Sequence, residues 1–368
     1  MKLLQINDYL YGGGAEVVFR YTTHLLKAVD IDTQWFYGSE HPKTSLGYIY
    51  SFKAKRALEQ RVREFLPDIV HLHNYYHLLS PSILHALQSL KQEFGFKIVM
   101  TVHDYHLLCA NNGCIRWKGS RPTNCTQCQG KKFYKVLLKN CDHRGFVHSS
   151  LKFIQHTIAY TLLDLKSVID LFICPSHFLK EKMKIAIDEK RLTVLHNPAF
   201  ALSCNVDEIA ISSKVINKKY DSIFLGRLSP EKGIDRFLAN DYSFSKFGSF
   251  GIIGDGPKKY TQKLQKMIKQ KKLAHVDLLG PMDHLEALSY LNNSQRLIFP
   301  SLWFENCPLT LLEAIFLGKE IFHYGIGASE EIAQLKKEHI TEETYINQLL
   351  KIYDTVLEKP KIKIYETL

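Results

Sequence analysis

Asp221-Ser222-Ile223-Phe224-Leu225-Gly226-Arg227-Leu228-Ser229-Pro230-Glu231-Lys232-Gly233 is the stretch that decides how this chain folds. A short β-rich run ends in glycine, and a second glycine opens the next helix, so a strand passes to a helix through a tight turn. Arg227 and Lys232 stand five positions apart inside that turn. Arginine offers planar two-point contact and lysine a point charge, so with a helix start they can neutralise a diphosphate. Two solvated cations on a surface turn would leave the same residues.

The same transition recurs downstream. Strand-like 249–253 runs into Gly254-Asp255-Gly256-Pro257, 275–279 into Gly280, and 296–299 into Pro300-Ser301. Upstream, strands are expected at 2–7, 33–37, 68–73, 97–102, 171–174 and 192–195, with helical patterns at 15–29, 81–94 and 149–165. Alternating strands and helices predict an α/β fold of parallel sheets with crossover helices, and ligands in such sheets bind at the strands' C-terminal edge. At 368 residues, two domains are expected. We divide the chain into an N-terminal Rossmann-like domain (1–198), a polar linker (199–219), a second Rossmann-like domain (220–340), and a capped amphipathic helix with a tail (341–368).

Composition excludes several classes. With 45% apolar and 23% charged residues the chain is an ordinary globular protein. No zinc-finger, RNP-type or basic-zipper pattern points to nucleic acid. The N-terminus turns polar too soon for a signal peptide, and no apolar run is long enough to cross a bilayer. The expectation is a cytoplasmic protein, at most peripheral on the inner face of the plasma membrane. A net charge of +11 reflects either lysines on solvated helix faces or an anionic partner, such as a diphosphate or an acidic lipid surface.

Near the C-terminus, Trp303-Phe304-Glu305-Asn306-Cys307-Pro308-Leu309-Thr310-Leu311-Leu312-Glu313-Ala314 sets two carboxylates eight positions apart around a proline suited to a helix start. Glu305 then lies in a loop and Glu313 in the helix, whose N-terminal donors suit a phosphate. Tyr11-Gly12-Gly13-Gly14-Ala15-Glu16 follows the first strand; it is either a plain turn or a place of close backbone approach. It is not a dinucleotide fingerprint, which disfavours nicotinamide binding. Two neighbouring strands end in His71-Leu72-His73-Asn74 and in Thr101-Val102-His103-Asp104, delivering polar groups to one edge.

Five of the eight cysteines fall between 109 and 141. Cys125 and Cys128 form a C-x2-C pair, and with Cys109 and Cys141 they make four thiolates for a structural zinc; unligated loop thiols are the alternative. Lys131, Lys132, Lys135 and Lys139 make this insertion basic, suited to guiding an acceptor or to a lipid surface.

In that order, the GGGAE loop, HLHN, THD, GRLSPEKG, IIGDGP and the E-x7-E of FENCPLTLLEA resemble the retaining GT-B glycosyltransferases of family 4 (glycosyl transferases group 1), over nearly the whole chain. The resemblance implies two Rossmann-like domains facing across a cleft, with the C-terminal helix crossing back to the first. It also implies transfer of a hexose with retention from a nucleotide-diphosphate sugar to a glycan or lipid-linked acceptor in polysaccharide or cell-surface glycan synthesis. No cofactor or catalytic metal is implied. By the same resemblance, Arg227 and Lys232 hold the diphosphate, and Glu313 binds the ribose. Glu305, Asn306, Cys307, Pro308 and Leu309 approach the donor sugar with His103, while Gly13, Gly14, Asn74 and Gly254 complete the binding surface. A GT-B epimerase of nucleotide sugars and a non-catalytic nucleotide-sugar-binding protein are the alternatives. The sequence departs from the family after Glu313, where the loop following Gly325-Ile326-Gly327-Ala328-Ser329-Glu330 is short.

Overall fold

In chain order the strands are β1 (Lys2–Asn7), β2 (Asp32–Tyr37), β3 (Ile69–Leu72), β4 (Lys97–Thr101), β5 (Ile115–Lys118), β6 (Arg121–Asn124), β7 (Leu171–Cys174), β8 (Leu192–Val194), β9 (Ser222–Leu225), β10 (Phe250–Ile253), β11 (Val276–Gly280), β12 (Arg296–Phe299) and β13 (Glu320–His323). This computed structural model describes residues 1–38, 44–118, 121–128, 132–199, 209, 213 and 219–358. Two parallel sheets result, ordered β2-β1-β3-β4-β7-β8 and β11-β10-β9-β12-β13. Both are buried on two faces by crossover helices, which is why β3, β7 and β10 are continuously buried rather than alternating. The expected strands agree within a residue or two at each end.

Two elements escaped the sequence reading. β13 closes the second sheet at its edge beside β12; its charged and half-exposed residues weaken the apolar signal. The antiparallel hairpin of β5 and β6 lies inside the cysteine-rich insertion. The linker assigned to 199–219 falls mostly outside the described residues. Of those described, Ile209 and Ser213 are buried, and Asn293 donates to the Ser213 carbonyl at 2.6 Å, so this segment is tied to the second domain.

The last helix, Glu342–Glu358, returns to the first sheet. Its Tyr345, Ile346, Leu349 and Tyr353 pack against Leu3, Val18, Leu26 and Ile69, each buried apolar side chain contributing roughly 1.5–3 kcal/mol. Polar contacts fix its register: Tyr345 Oη lies 2.8 Å from Thr22 Oγ1, and Tyr353 Oη lies 2.6 Å from His71 Nδ1. The last described helix thus packs on the domain that holds β1, and residues 359–368 lie outside the described residues.

The turn after β9 depends on one residue. Gly233 has φ +74°, and a Cβ there would meet the Pro300 carbonyl oxygen at 2.0 Å. Backbone of the 230–233 turn therefore presses on the loop after β12, and Leu302 N–H donates to the Glu231 carbonyl at 2.8 Å. Gly318 also has positive φ, at +67°, but nothing lies within reach of a Cβ. Alanine at Gly318 should cost only its backbone strain, about 1–2 kcal/mol. Gly233→Ala should cost clearly more, because Pro300 must also move. Urea unfolding of the two variants measures the difference; equal losses would show that the loop yields freely.

Candidate functional site

A cavity of about 670 Å³ opens between the C-terminal edges of the two sheets. From the first domain it is lined by Gly14, Val17, Arg20, His103 and Asn197, and from the second by Gly226, Lys232, His284, Glu305 to Thr310 and Glu313. Two helices start at it. One is Gly14–Ala28, and the other is Leu309–Phe316, whose N-cap is Pro308. A Cβ at Gly14 would touch Leu309 Cδ1 at 3.5 Å, so the two N-termini meet across the gap. Each helix N-terminus carries unsatisfied backbone N–H groups and about half a positive charge, so an anion between them is favoured twice.

Lys232 supplies the side-chain cation. Its Nζ lies 2.7 Å from Glu305 Oε1, and Ser301 Oγ donates to the same oxygen at 2.7 Å. Glu305 is buried and Lys232 one-fifth exposed, so neither charge is fully solvated. The Glu305 backbone is fixed as well, since Ala328 N–H donates to its carbonyl at 2.8 Å. Ammonium, carboxylate and hydroxyl thus hold the loop after β12 in one geometry.

Arg227 behaves differently. Its guanidinium is 63% exposed and pairs with Glu231, four residues on, at 2.7 Å, and it is not among the residues lining the cavity. The partner is itself pinned, because Ser229 Oγ donates to the same Glu231 oxygen. Arg20 of the Gly14–Ala28 helix, unremarked in the sequence, lines the cavity instead.

Glu313 is nearly buried, and Oε1 receives His284 Nε2 at 2.7 Å. That hydrogen bond raises the pKa of His284, outweighing burial, which lowers it. His284 was missed because it follows a helix-capping aspartate, Asp283, with no motif of its own. Its position at the edge after β11 was the available signal.

On the first domain, His73 and His103 meet as adjacent strands should deliver them. Nδ1 of His73 lies 2.8 Å from Nε2 of His103, with rings stacked 5.1 Å apart. Burial lowers the His103 pKa to about 3, so its ring is neutral. The His103 carbonyl accepts from Asn306 Nδ2 at 2.8 Å, joining the two domains at the cavity. Oδ1 of the same Asn306 is buried with no partner among the described residues. An unsatisfied buried acceptor beside a cavity suits a ligand hydroxyl.

Three further glycine or asparagine positions do not line the cavity. The Gly13 N–H is consumed by Glu16 Oε2 at 2.7 Å in the helix cap. Asn74 is buried past β3, its N–H bonded to Asn7 Oδ1 at 2.9 Å. At Gly254 a Cβ would meet the Gly226 carbonyl at 1.9 Å, so this glycine serves close backbone packing. Cys307 and Pro308 line the cavity with Leu309, and burial pushes the Cys307 thiol up to about 12.

The insertion's cysteines also come together. Cys109, Cys114, Cys125, Cys128 and Cys141 all line one space of about 20 Å³. Cys114, left out of the expected four, is in side-chain contact with Cys109. Among the described residues, no three or more of His, Cys, Asp and Glu stand ready to hold a metal ion. No helix among them is long and apolar enough to cross a membrane.

Other proteins resemble this chain in sequence or in fold. A Klebsiella pneumoniae protein described as an uncharacterised 42.6 kDa protein in the cps region is 24% identical over 297 residues, 78% of this chain and 65% of its own length. A glycosyltransferase structure from Rickettsia africae superposes with a TM-score of 0.63 at 14% identity, covering 98% of this chain and 99% of its own. Anabaena HepE in complex with UDP-glucose superposes with a TM-score of 0.57 at 15% identity, covering 97% and 92%. At such identities the structures establish the fold. Residues 12–199 match Glycosyltransferase Family 4 and residues 205–365 match Glycosyl transferases group 1, so the chain belongs to the group 1, family 4 glycosyltransferases of GT-B fold.

Proposed function

We propose that the chain transfers a hexose, with retention of anomeric configuration, from a nucleotide-diphosphate sugar to a glycan or lipid-linked acceptor. The observation that carries this reading is Lys232 in the cavity between two facing helix N-termini. When the bond between the anomeric carbon and the diphosphate oxygen breaks, negative charge gathers on that oxygen. Preorganised positive groups lower the barrier because they need not reorient. Lys232 and the N–H groups after Pro308 supply the charge that a divalent ion would otherwise bring. UDP-glucose bound to the structural relative HepE favours a donor of this class.

Other groups take complementary parts. Glu313 accepts from ribose hydroxyls, and Asn306 Oδ1 from a sugar hydroxyl. His103, being neutral, serves as a hydrogen-bond partner and not as a cation. Departure and attack on the same sugar face pass the acceptor proton to the leaving diphosphate oxygen, while the acceptor oxygen bonds to the anomeric carbon. Arg227 joins the diphosphate only by leaving Glu231.

The acceptor lies toward the N-terminal domain. There, Tyr134, Leu138, Phe146 and Val147 are exposed, with the partly exposed Lys135 and Lys139 close in sequence. This composition suits an anionic lipid surface and a peripheral, cytoplasmic-face location. The cps-region relative favours polysaccharide synthesis as the setting.

Lys232→Ala should reduce kcat by on the order of 10²–10³, with donor thermal stabilisation weakened, in a steady-state assay on the nucleotide sugar that raises the melting point most. Unchanged turnover would refute the role. Labelled donor incubated without acceptor should not exchange its sugar configuration; interconversion would favour an epimerase.

The pH dependence follows from the pair at the cavity rim. His284 has a raised pKa, so its imidazolium holds Glu313 most firmly at low pH and lets go as pH rises through that pKa. Donor KM should therefore fall as pH rises past the usual histidine range, and His284→Gln should flatten the profile. A flat wild-type profile would separate Glu313 from donor binding.

A further inference from the structure

The insertion between 109 and 141 is built around its sulfurs. Cys114 precedes β5 and Cys125 follows β6, and Cys125 N–H donates to the Cys114 carbonyl at 2.6 Å across the base of the hairpin. Cys109 touches both Cys114 and Cys128. The pattern is C-x4-C, a hairpin, then C-x2-C, and none of the four residues sits in a helix or strand. Three of them are buried in a domain that has large apolar clusters of its own, so packing alone gives no reason for five thiols around one small space.

We propose that Cys109, Cys114, Cys125 and Cys128 bind one zinc-class cation as a tetrathiolate, and that the filled site braces the donor-side loop 302–306. Soft thiolates in a tetrahedral set select such an ion, each sulfur about 2.3 Å from it. Among the described residues no trio already stands in holding position, so binding requires the loop-borne sulfurs to close in. Lys182, which lines the same space, offsets the negative charge that four thiolates leave around one dication. Cys141 lines the same space, but its side chain is not in contact with Cys109 as those of Cys114 and Cys128 are, and it is left out of the set.

The consequence for the active-site cleft is mechanical. Gly113, next to Cys114, accepts from the Trp303 indole N–H. Asn124, next to Cys125, donates to the Leu302 carbonyl at 3.1 Å, and Tyr105 Oη donates to the Phe304 carbonyl at 3.2 Å. Both neighbours of the two hairpin-base cysteines therefore grip the backbone and side chains that lead into Glu305. Fixing the hairpin base fixes that loop, and metal binding stabilises the folded form of the insertion.

The full chain, purified without chelator from zinc-supplemented cells, tests this by elemental analysis. About one zinc per chain is expected in wild type and in Cys141→Ser, and loss of it in Cys114→Ser. Removing zinc with a thiol-reactive mercurial and chelator should shift tryptophan emission through Trp303 and raise donor KM more than it lowers kcat. The metal count stands apart from the proposed transfer reaction, whereas the KM arm rests on it. Less than about a tenth of an equivalent of zinc in wild type, with the thiols either free or paired as disulfides, overturns the site. Zinc retained by Cys114→Ser and lost from Cys141→Ser overturns the ligand set. If Cys114→Ser fails to fold, the wild-type count alone decides.

Discussion

The pairing of Lys232 with Glu305 is the contact on which the cavity's geometry depends. It joins the turn after β9 to the loop after β12, and Ser301 shares the same carboxylate oxygen. A buried ion pair is weak evidence for added stability, since desolvation of both charges opposes their attraction. Its value here is positional. Glu305 holds the ammonium at the cavity that both residues line. The same loop carries Asn306, which reaches the opposite domain through the His103 carbonyl.

Around that pair, several weak electrostatic elements point one way. Two helix starts face each other across the gap, and Lys232 lies on the side of the second sheet. The opposing element is a chain of neutral imidazoles. His71 and His73 are buried and the half-buried His103 stacks on His73, and removal from water lowers the pKa of each. Their neutrality keeps positive charge off the first-domain side of the cavity and leaves it on the side of Lys232. Such a gradient suits the proposed transfer, in which negative charge gathers on the leaving diphosphate and positive charge on the sugar ring.

The two domains are held by more than the cleft. Glu331 of the second domain accepts from the N–H groups of His177 and Phe178, at the start of helix His177–Met183 in the first, and pairs with His196. The final helix adds its apolar face to the first sheet. The cysteine-rich insertion is a third bridge, since its hairpin bonds to the loop from Leu302 to Trp303. The last of the three acts directly on the loop that leads into Glu305.

Much of this was legible in the sequence, and the boundary is physical. Strand positions, the helix start after Pro308, the glycine turns and the existence of a C-terminal helix are written in contiguous residues, whereas the return of that helix to the first domain was implied only by the family resemblance. Periodicity, backbone preference and capping act over a few positions, so they survive without knowledge of the fold. The E-x7-E segment placed both carboxylates at the cavity for the same reason. Side-chain destinations were not written in this way. Arg227 and Lys232 look equivalent along the chain, yet Glu231 captures one and Glu305, 73 residues beyond Lys232, captures the other. His284 joined Glu313, Asn306 reached His103, and Cys114 met Cys109 only once sheets and loops were packed. Sequence alone determined which elements form and which edge they open onto; tertiary structure decided which charges face the cavity, because a buried side chain goes wherever packing leaves it a partner.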